Sequence, residues 1–188
     1  MNEKILIIDF GSQYTQLIAR VIREFNVFCE IIPFNKSFEF NSQIKGLILS
    51  GSPSSVNELN APEININHLA EHVPVLGICY GAQLTAKLLG GVVDKSNKRE
   101  YGRANLMVTT QDLFFSEIPS KSQVWMSHSD SIKVLPEGYE ILADTESIPV
   151  AAFRKTTKTD FPLYGVQFHP EVYHSTQGKI FQIGRAHV

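Results

Sequence analysis

Apolar side chains in the first half of the chain fall into two alternating kinds of run. Residues 4–9 place Ile5, Leu6, Ile7 and Ile8 consecutively between Lys4 and Asp9, the unbroken apolar run of a strand covered on both faces. Residues 13–25 instead set Leu17, Ile18, Val21, Ile22 and Phe25 at helical spacing, with Gln16, Arg20, Arg23 and Glu24 opposite; this predicts an amphipathic helix. Strands are then expected at 27–33, 46–50 and 74–79, and a helix opening at 84–89 that Gly90-Gly91 should end. Such alternation is the mark of a parallel sheet with covering helices. The second half reads differently, as strand-like pieces at 100–110, 123–127, 140–144, 150–155 and 163–168 joined by short polar turns. The expected fold is α/β: a mostly parallel central sheet flanked by helices, flavodoxin-like in organisation, with β-rich excursions in the second half.

Composition narrows the possibilities. The chain has 188 residues, 43% hydrophobic and 19% charged, which suits one globular domain. Its 17 Lys and Arg against 19 Asp and Glu give a net charge of −2, so no charge argument favours nucleic acid or an anionic membrane. The apolar run near the N-terminus is too short for a secretory signal. The apolar stretch 73–93 contains Gln83, Thr85 and Lys87 and reads as a strand and helix, not a membrane span. Two cysteines, Cys29 and Cys79, with no Cys-x-x-Cys pair, suggest neither a disulfide framework nor a zinc site. Free thiols and a cytoplasmic setting are expected.

Active sites of open α/β sheets lie at the carboxyl ends of strands, which directs attention to three segments. Gly77-Ile78-Cys79-Tyr80-Gly81 has the Gly-x-nucleophile-x-Gly form of a strand-to-helix elbow, with sulfur in place of oxygen. Such a turn aims Cys79 at a helix N-terminus, where amides and the helix dipole favour the thiolate. Cys29, mid-strand, reads as a small buried hydrophobe. In the second segment, an apolar strand ends at His169-Pro170-Glu171. Extended backbone there would project His169 and Glu171 to one side, as a base and the carboxylate that orients it. The third segment, Ser50-Gly51-Ser52-Pro53-Ser54-Ser55, has the composition of a turn and could donate a backbone N–H to an oxyanion, the other coming from Tyr80. The histidines at 68, 72, 128, 174 and 187 lack a comparable context.

Together these segments resemble the class I, or triad, glutamine amidotransferases, whose pattern is a Gly-x-Cys-x-Gly elbow with Gln two positions on and a later His-Pro-Glu. Within that class, 9–20, 99–102, 124–130 and 167–172 resemble the amidotransferase domain of GMP synthases, and the likeness runs to about residue 182. The resemblance implies Cys79 as nucleophile, His169 as general base then acid, and Glu171 as its orienter. It implies Ser52 and Tyr80 as oxyanion-hole amides, and Gly51, Gln83, Ser129 and Asp130 around the substrate glutamine. The chain has Gly51-Ser52-Pro53 where the family commonly has Gly-Gly-Pro, and tolerance is expected because only a backbone N–H is needed. Ser129 likewise replaces a common glycine.

The implied reaction is glutamine hydrolysis through a cysteine thioester, supplying ammonia for ATP-dependent amination of XMP to GMP. Alternatives are an amidotransferase serving another acceptor, in carbamoyl phosphate or anthranilate synthesis, and an idle regulatory module of the same fold. No cofactor or metal is expected in this domain. ATP and magnesium would belong to an ATP-pyrophosphatase (synthase) domain absent from these 188 residues, present in a longer chain or as a separate subunit. Residues 1–182 are thus expected to form the amidotransferase domain, and 183–188 read as a non-native or truncated tail.

Overall fold

A computed structural model describes residues 3–157 and 161–175, leaving aside the side chains of 97–100. The predicted tail 183–188 and the boundary at 182 lie outside the described residues. In chain order the elements are β1 (Lys4–Asp9), α1 (Thr15–Glu24), β2 (Cys29–Pro33), β3 (Ile44–Leu49), α2 (Ile66–Ala70), β4 (Val75–Ile78) and α3 (Tyr80–Leu88). There follow β5 (Val92–Val108), a 3₁₀ turn at Leu113–Phe115, β6 (Lys121–Val134), β7 (Tyr139–Thr145), β8 (Ala152–Lys155) and β9 (Leu163–Val166).

The described strands form one nine-stranded sheet in the order β2-β1-β3-β4-β9-β8-β7-β5-β6. Pairings from β2 through β9 are parallel, and this half has the doubly wound order of flavodoxin-like sheets. From β9 through β8, β7, β5 and β6 every pairing is antiparallel. β1 shows why its run is unbroken: Ile5 and Ile7 pack on one face with Ile18, Ala19 and Ile22 of α1, whereas Leu6 and Ile8 join Leu69 of α2 and Leu84 of α3 on the other.

Differences from the sequence-based expectations have local causes. α3 begins at Tyr80, directly after Cys79, four residues before the predicted opening at 84. Small residues there let its first turn lie against β3: a Cβ on Gly81 would stand 2.5 Å from the Leu49 carbonyl oxygen. β5 and β6 are longer than predicted because they pair with each other along an antiparallel ribbon, in which polar residues need only one wet face. α2 was not predicted. Asn65 caps it, its side chain accepting from the His68 N–H at 3.1 Å, with Ile66, Leu69 and Ala70 buried beneath.

Candidate active site

Four strand ends converge. Asp9, closing β1, accepts from the Gly11 N–H (2.9 Å) and the Thr15 hydroxyl (2.7 Å), which shapes the turn into α1. Ser50, following β3, ties three segments: its hydroxyl accepts from the Phe10 N–H at 3.0 Å, its N–H reaches the Ile8 carbonyl, and its carbonyl accepts from the Gly81 N–H at 3.1 Å. Cys79 follows β4, and His169 comes shortly after the end of β9 at Val166. The loops after β1, β3, β4 and β9 are therefore locked together by backbone hydrogen bonds and short side chains.

Cys79 has φ 51° and ψ −104°, a backbone state that side-chain-bearing residues rarely hold. The strain is imposed from both sides. A Cβ on Gly77 would lie 2.7 Å from the Ala82 nitrogen, so strand and helix approach too closely for any residue but glycine at Gly77 and Gly81. Cys79 is anchored by its N–H to the Val166 carbonyl at 2.8 Å, and its carbonyl accepts from the Gln83 N–H. The buried thiol points across to β6 and donates to the Ser127 carbonyl at 3.8 Å.

His169 and Glu171 are both buried, with Nδ1 of the imidazole 2.6 Å from Oε1 of the carboxylate. The expected route to this pairing was wrong in detail. β9 ends at Val166, and Pro170 and Glu171 lie in a turn, so the pair meets through a tight bend and not along extended chain. The bend is fastened to β6: the His169 N–H donates to the Trp125 carbonyl (2.9 Å), while the Ser175 hydroxyl donates to the His169 carbonyl and accepts from the Trp125 N–H. Tyr14 packs edge-on against the imidazole with ring centroids 4.9 Å apart. Burial opposes charge on His169, but the neighbouring Cys79 sulfur and Glu171 carboxylate outweigh it and hold the imidazole well above its usual 6.5.

The remaining predicted residues divide. Gly51 touches the site: a Cβ there would lie 3.4 Å from His169 Cε1. Tyr80 opens α3, so its N–H has no carbonyl one turn upstream in the helix, while its buried hydroxyl donates to the Pro62 carbonyl at 2.7 Å. Ser52 is absent from the positive-φ residues, which among described non-glycines are Asn26 and Cys79; its conformation does not demand the family's glycine. Gln83 and Asp130 come together, the Gln83 side-chain amide donating to the Asp130 carbonyl at 2.8 Å. Asp130 Oδ2 accepts from the Ser55 hydroxyl, and its Oδ1 is buried without a partner, an acceptor open to a cationic group. Ser129 is exposed and, by strand alternation, projects away from Asp130.

Sequence reasoning gave no individual role to Tyr14, Ser175 and His128, and did not foresee the bond from Ser55 to Asp130. His128 is buried on β6 with neither ring nitrogen hydrogen-bonded. Burial, and then the charge of nearby His169, push it down to about 4. Its two-residue spacing from Asp130 along a strand was the available signal. A separate cavity of about 1020 Å³, lined by Ile5, Gly46, Leu76, Tyr164 and other mostly apolar residues, sits toward the amino ends of the strands; Cys79, His169, Glu171 and Asp130 do not line it.

Residues 6–183 match the family model for glutamine amidotransferase class-I. The chain is 57% identical over 180 residues to the glutamine-hydrolysing GMP synthase of Cytophaga hutchinsonii and 51% identical to that of Porphyromonas gingivalis, covering 95% of this chain and 35% of each relative. It thus spans about a third of the length of these curated relatives. Among solved structures, it superposes with a TM-score of 0.81 on a Thermoplasma acidophilum protein provisionally named as a component of GMP synthase, at 30% identity, over 98% of this chain and 92% of that one. A glutamine amidotransferase of Thermotoga maritima shares the fold with a TM-score of 0.71 at 24% identity, over 92% of this chain and 77% of that one. With its elbow cysteine and its His-Pro-Glu turn held at adjoining strand ends, the chain belongs to the class-I glutamine amidotransferase family.

Proposed function

We propose that this chain hydrolyses glutamine to glutamate and ammonia, and that the ammonia serves the ATP-dependent amination of XMP to GMP in an associated synthase unit. The observation that carries the hydrolysis is the buried array of Cys79, His169 and Glu171 at the ends of β4 and β9. The thiolate of Cys79 attacks the side-chain amide carbon of glutamine. The amides of Tyr80 and Ser52 steady the resulting oxyanion, and His169 delivers the thiol's proton to the departing nitrogen, which leaves as ammonia. Water then gives a proton back to His169 and attacks the thioester, releasing glutamate and restoring the thiol. Glu171 keeps the imidazole oriented and compensates its charge. The buried, unpartnered Asp130 Oδ1 receives the substrate's α-ammonium.

The choice of acceptor rests on the 57% identity to a glutamine-hydrolysing GMP synthase. ATP and magnesium act in the synthase unit, whether joined in one chain or docked as a separate protein. A cytoplasmic setting belongs to this reading. Among the described residues, no helix is long and apolar enough to cross a membrane.

Covalent trapping tests the reading. A chloroketone analogue of glutamine should add one equivalent of mass at Cys79, glutamine should protect against it, and His169→Ala should slow it about 10²- to 10⁴-fold. Addition at Cys29, or labelling of Cys79 indifferent to both glutamine and His169→Ala, would overturn it. Adding a synthase domain and measuring GMP formation separately tests the acceptor.

A further inference from the structure

At the end of α2, away from the catalytic residues, three exposed side chains converge: His68, Glu71 and His72. His68 lies in α2, Glu71 caps its C-terminus and His72 follows in the turn, four residues on from His68. One potential ligand atom from each lies within 4.8 Å of the others.

Two features order this cluster. His72 Nδ1 stands 2.9 Å from the His68 carbonyl; a carbonyl only accepts, so the Nδ1–H donates and the Nε2 lone pair is left for a ligand. That arrangement of imidazole and backbone acceptor is the usual outer support of a metal-binding histidine. Phe40 stacks flat on the His72 ring, with centroids 4.3 Å apart and planes at 13°, which limits its rotation. The Asn65 cap, bonded to the His68 N–H, fixes the start of the same turn.

We propose that His68, Glu71 and His72 form a binding site for a borderline divalent transition-metal ion, with zinc as its first candidate. Two imidazoles and one carboxylate, with water completing the shell, match the donors such ions favour and not the all-oxygen sets of magnesium or calcium. Metal–ligand bonds of about 2.1 Å require donor atoms roughly 3.4 Å apart, so the exposed side chains must turn toward one another to close on the ion. Because His72 is followed by Val73, Pro74 and then β4, whose end carries Cys79, the ion would staple the turn leading into the elbow strand.

Zinc titration of the untagged 188-residue chain by calorimetry tests this. In a Cys79→Ala background, which removes the competing thiol, one ion per chain should bind. His68→Ala and His72→Ala should each weaken binding at least about tenfold, and zinc should raise the melting temperature of the parent but not of the two variants. Cobalt bound to the chain with Cys79 intact should show no thiolate charge-transfer band. Absence of saturable binding at micromolar zinc, or binding unchanged by both histidine substitutions, would overturn the proposal. These side chains are exposed, so loss of folding is not expected; circular dichroism of each variant checks it.

Discussion

His169 Nδ1 and Glu171 Oε1 meet at 2.6 Å across a single proline, with both side chains buried. A carboxylate this close sets the imidazole tautomer, with the proton on Nδ1 and Nε2 left to work, and favours the charged ring. Glu171→Gln keeps the shape but removes the charge. The expected outcome is a fall of about 10²- to 10⁴-fold in kcat/KM for glutamine. The His169 titration, followed by NMR, should move to lower pH, because one of the two groups that raise it against burial is gone. An unmoved titration would show that Glu171 only fills space.

The glycines around the site differ in what they tolerate. At Gly77 and Gly81 a Cβ would meet backbone, 2.7 Å from the Ala82 nitrogen and 2.5 Å from the Leu49 oxygen, and backbone has no alternative rotamer. Gly77→Ala and Gly81→Ala should each cost about 3 kcal/mol in chemical denaturation. At Gly51 the neighbours are side-chain atoms, Ser12 Oγ at 3.3 Å and His169 Cε1 at 3.4 Å, which can give way. Gly51→Ala should hold stability to within about 1 kcal/mol yet lower glutamine turnover about tenfold, through a displaced imidazole.

The parallel half of the sheet was legible because burial on both faces leaves continuous apolar runs, as at Ile5 to Ile8. The elbow was legible because close approach leaves glycines at fixed offsets from Cys79. The β5–β6 ribbon was only partly so: Asp94 and Lys95 belong to β5, and their charge argues for loop until a pairing strand is known. For His169 and Glu171 the pairing of imidazole with carboxylate was anticipated and its backbone route was not, since a two-residue spacing fits a strand and a turn equally well. The supporting contacts of Ser55, Tyr14 and Ser175 depend on tertiary meetings 75, 155 and 50 residues apart in sequence, and no local pattern announces them.

His128 makes stability depend on pH in a definite direction. Its buried ring is held down to about 4, while the unfolded chain takes up a proton near 6.5. Between those values the unfolded state binds more protons, so stability is fully present above about pH 6.5 and declines as pH falls toward 4. The total is about 3 kcal/mol. His169 works in the other window: its raised value adds stability that is complete below 6.5 and is lost as pH climbs through the folded-state titration. Urea midpoints from pH 7 to 4 should fall less steeply for His128→Leu than for the parent. Equal slopes would mean that water or another group satisfies the ring.

Asp112 and Arg154 form an ion pair whose halves are unequally exposed: the Asp112 side chain is 1% accessible and that of Arg154 34%. Asp112 also caps the 3₁₀ turn through the Phe114 N–H at 2.6 Å and accepts from the Tyr164 hydroxyl at 3.2 Å. Arg154 has a second carboxylate, Glu140, at 2.6 Å. Removing either partner should therefore have different consequences. Asp112→Asn leaves an arginine that still holds Glu140 and reaches water, and an amide oxygen can keep the cap; about 1 kcal/mol should be lost. Arg154→Leu strands a buried carboxylate against neutral donors alone, and about 3 kcal/mol should be lost at pH 7. Urea denaturation of both variants at pH 7 decides the matter: a clearly larger loss for Arg154→Leu marks a pair that compensates buried charge, and equal losses mark one that matters only for packing.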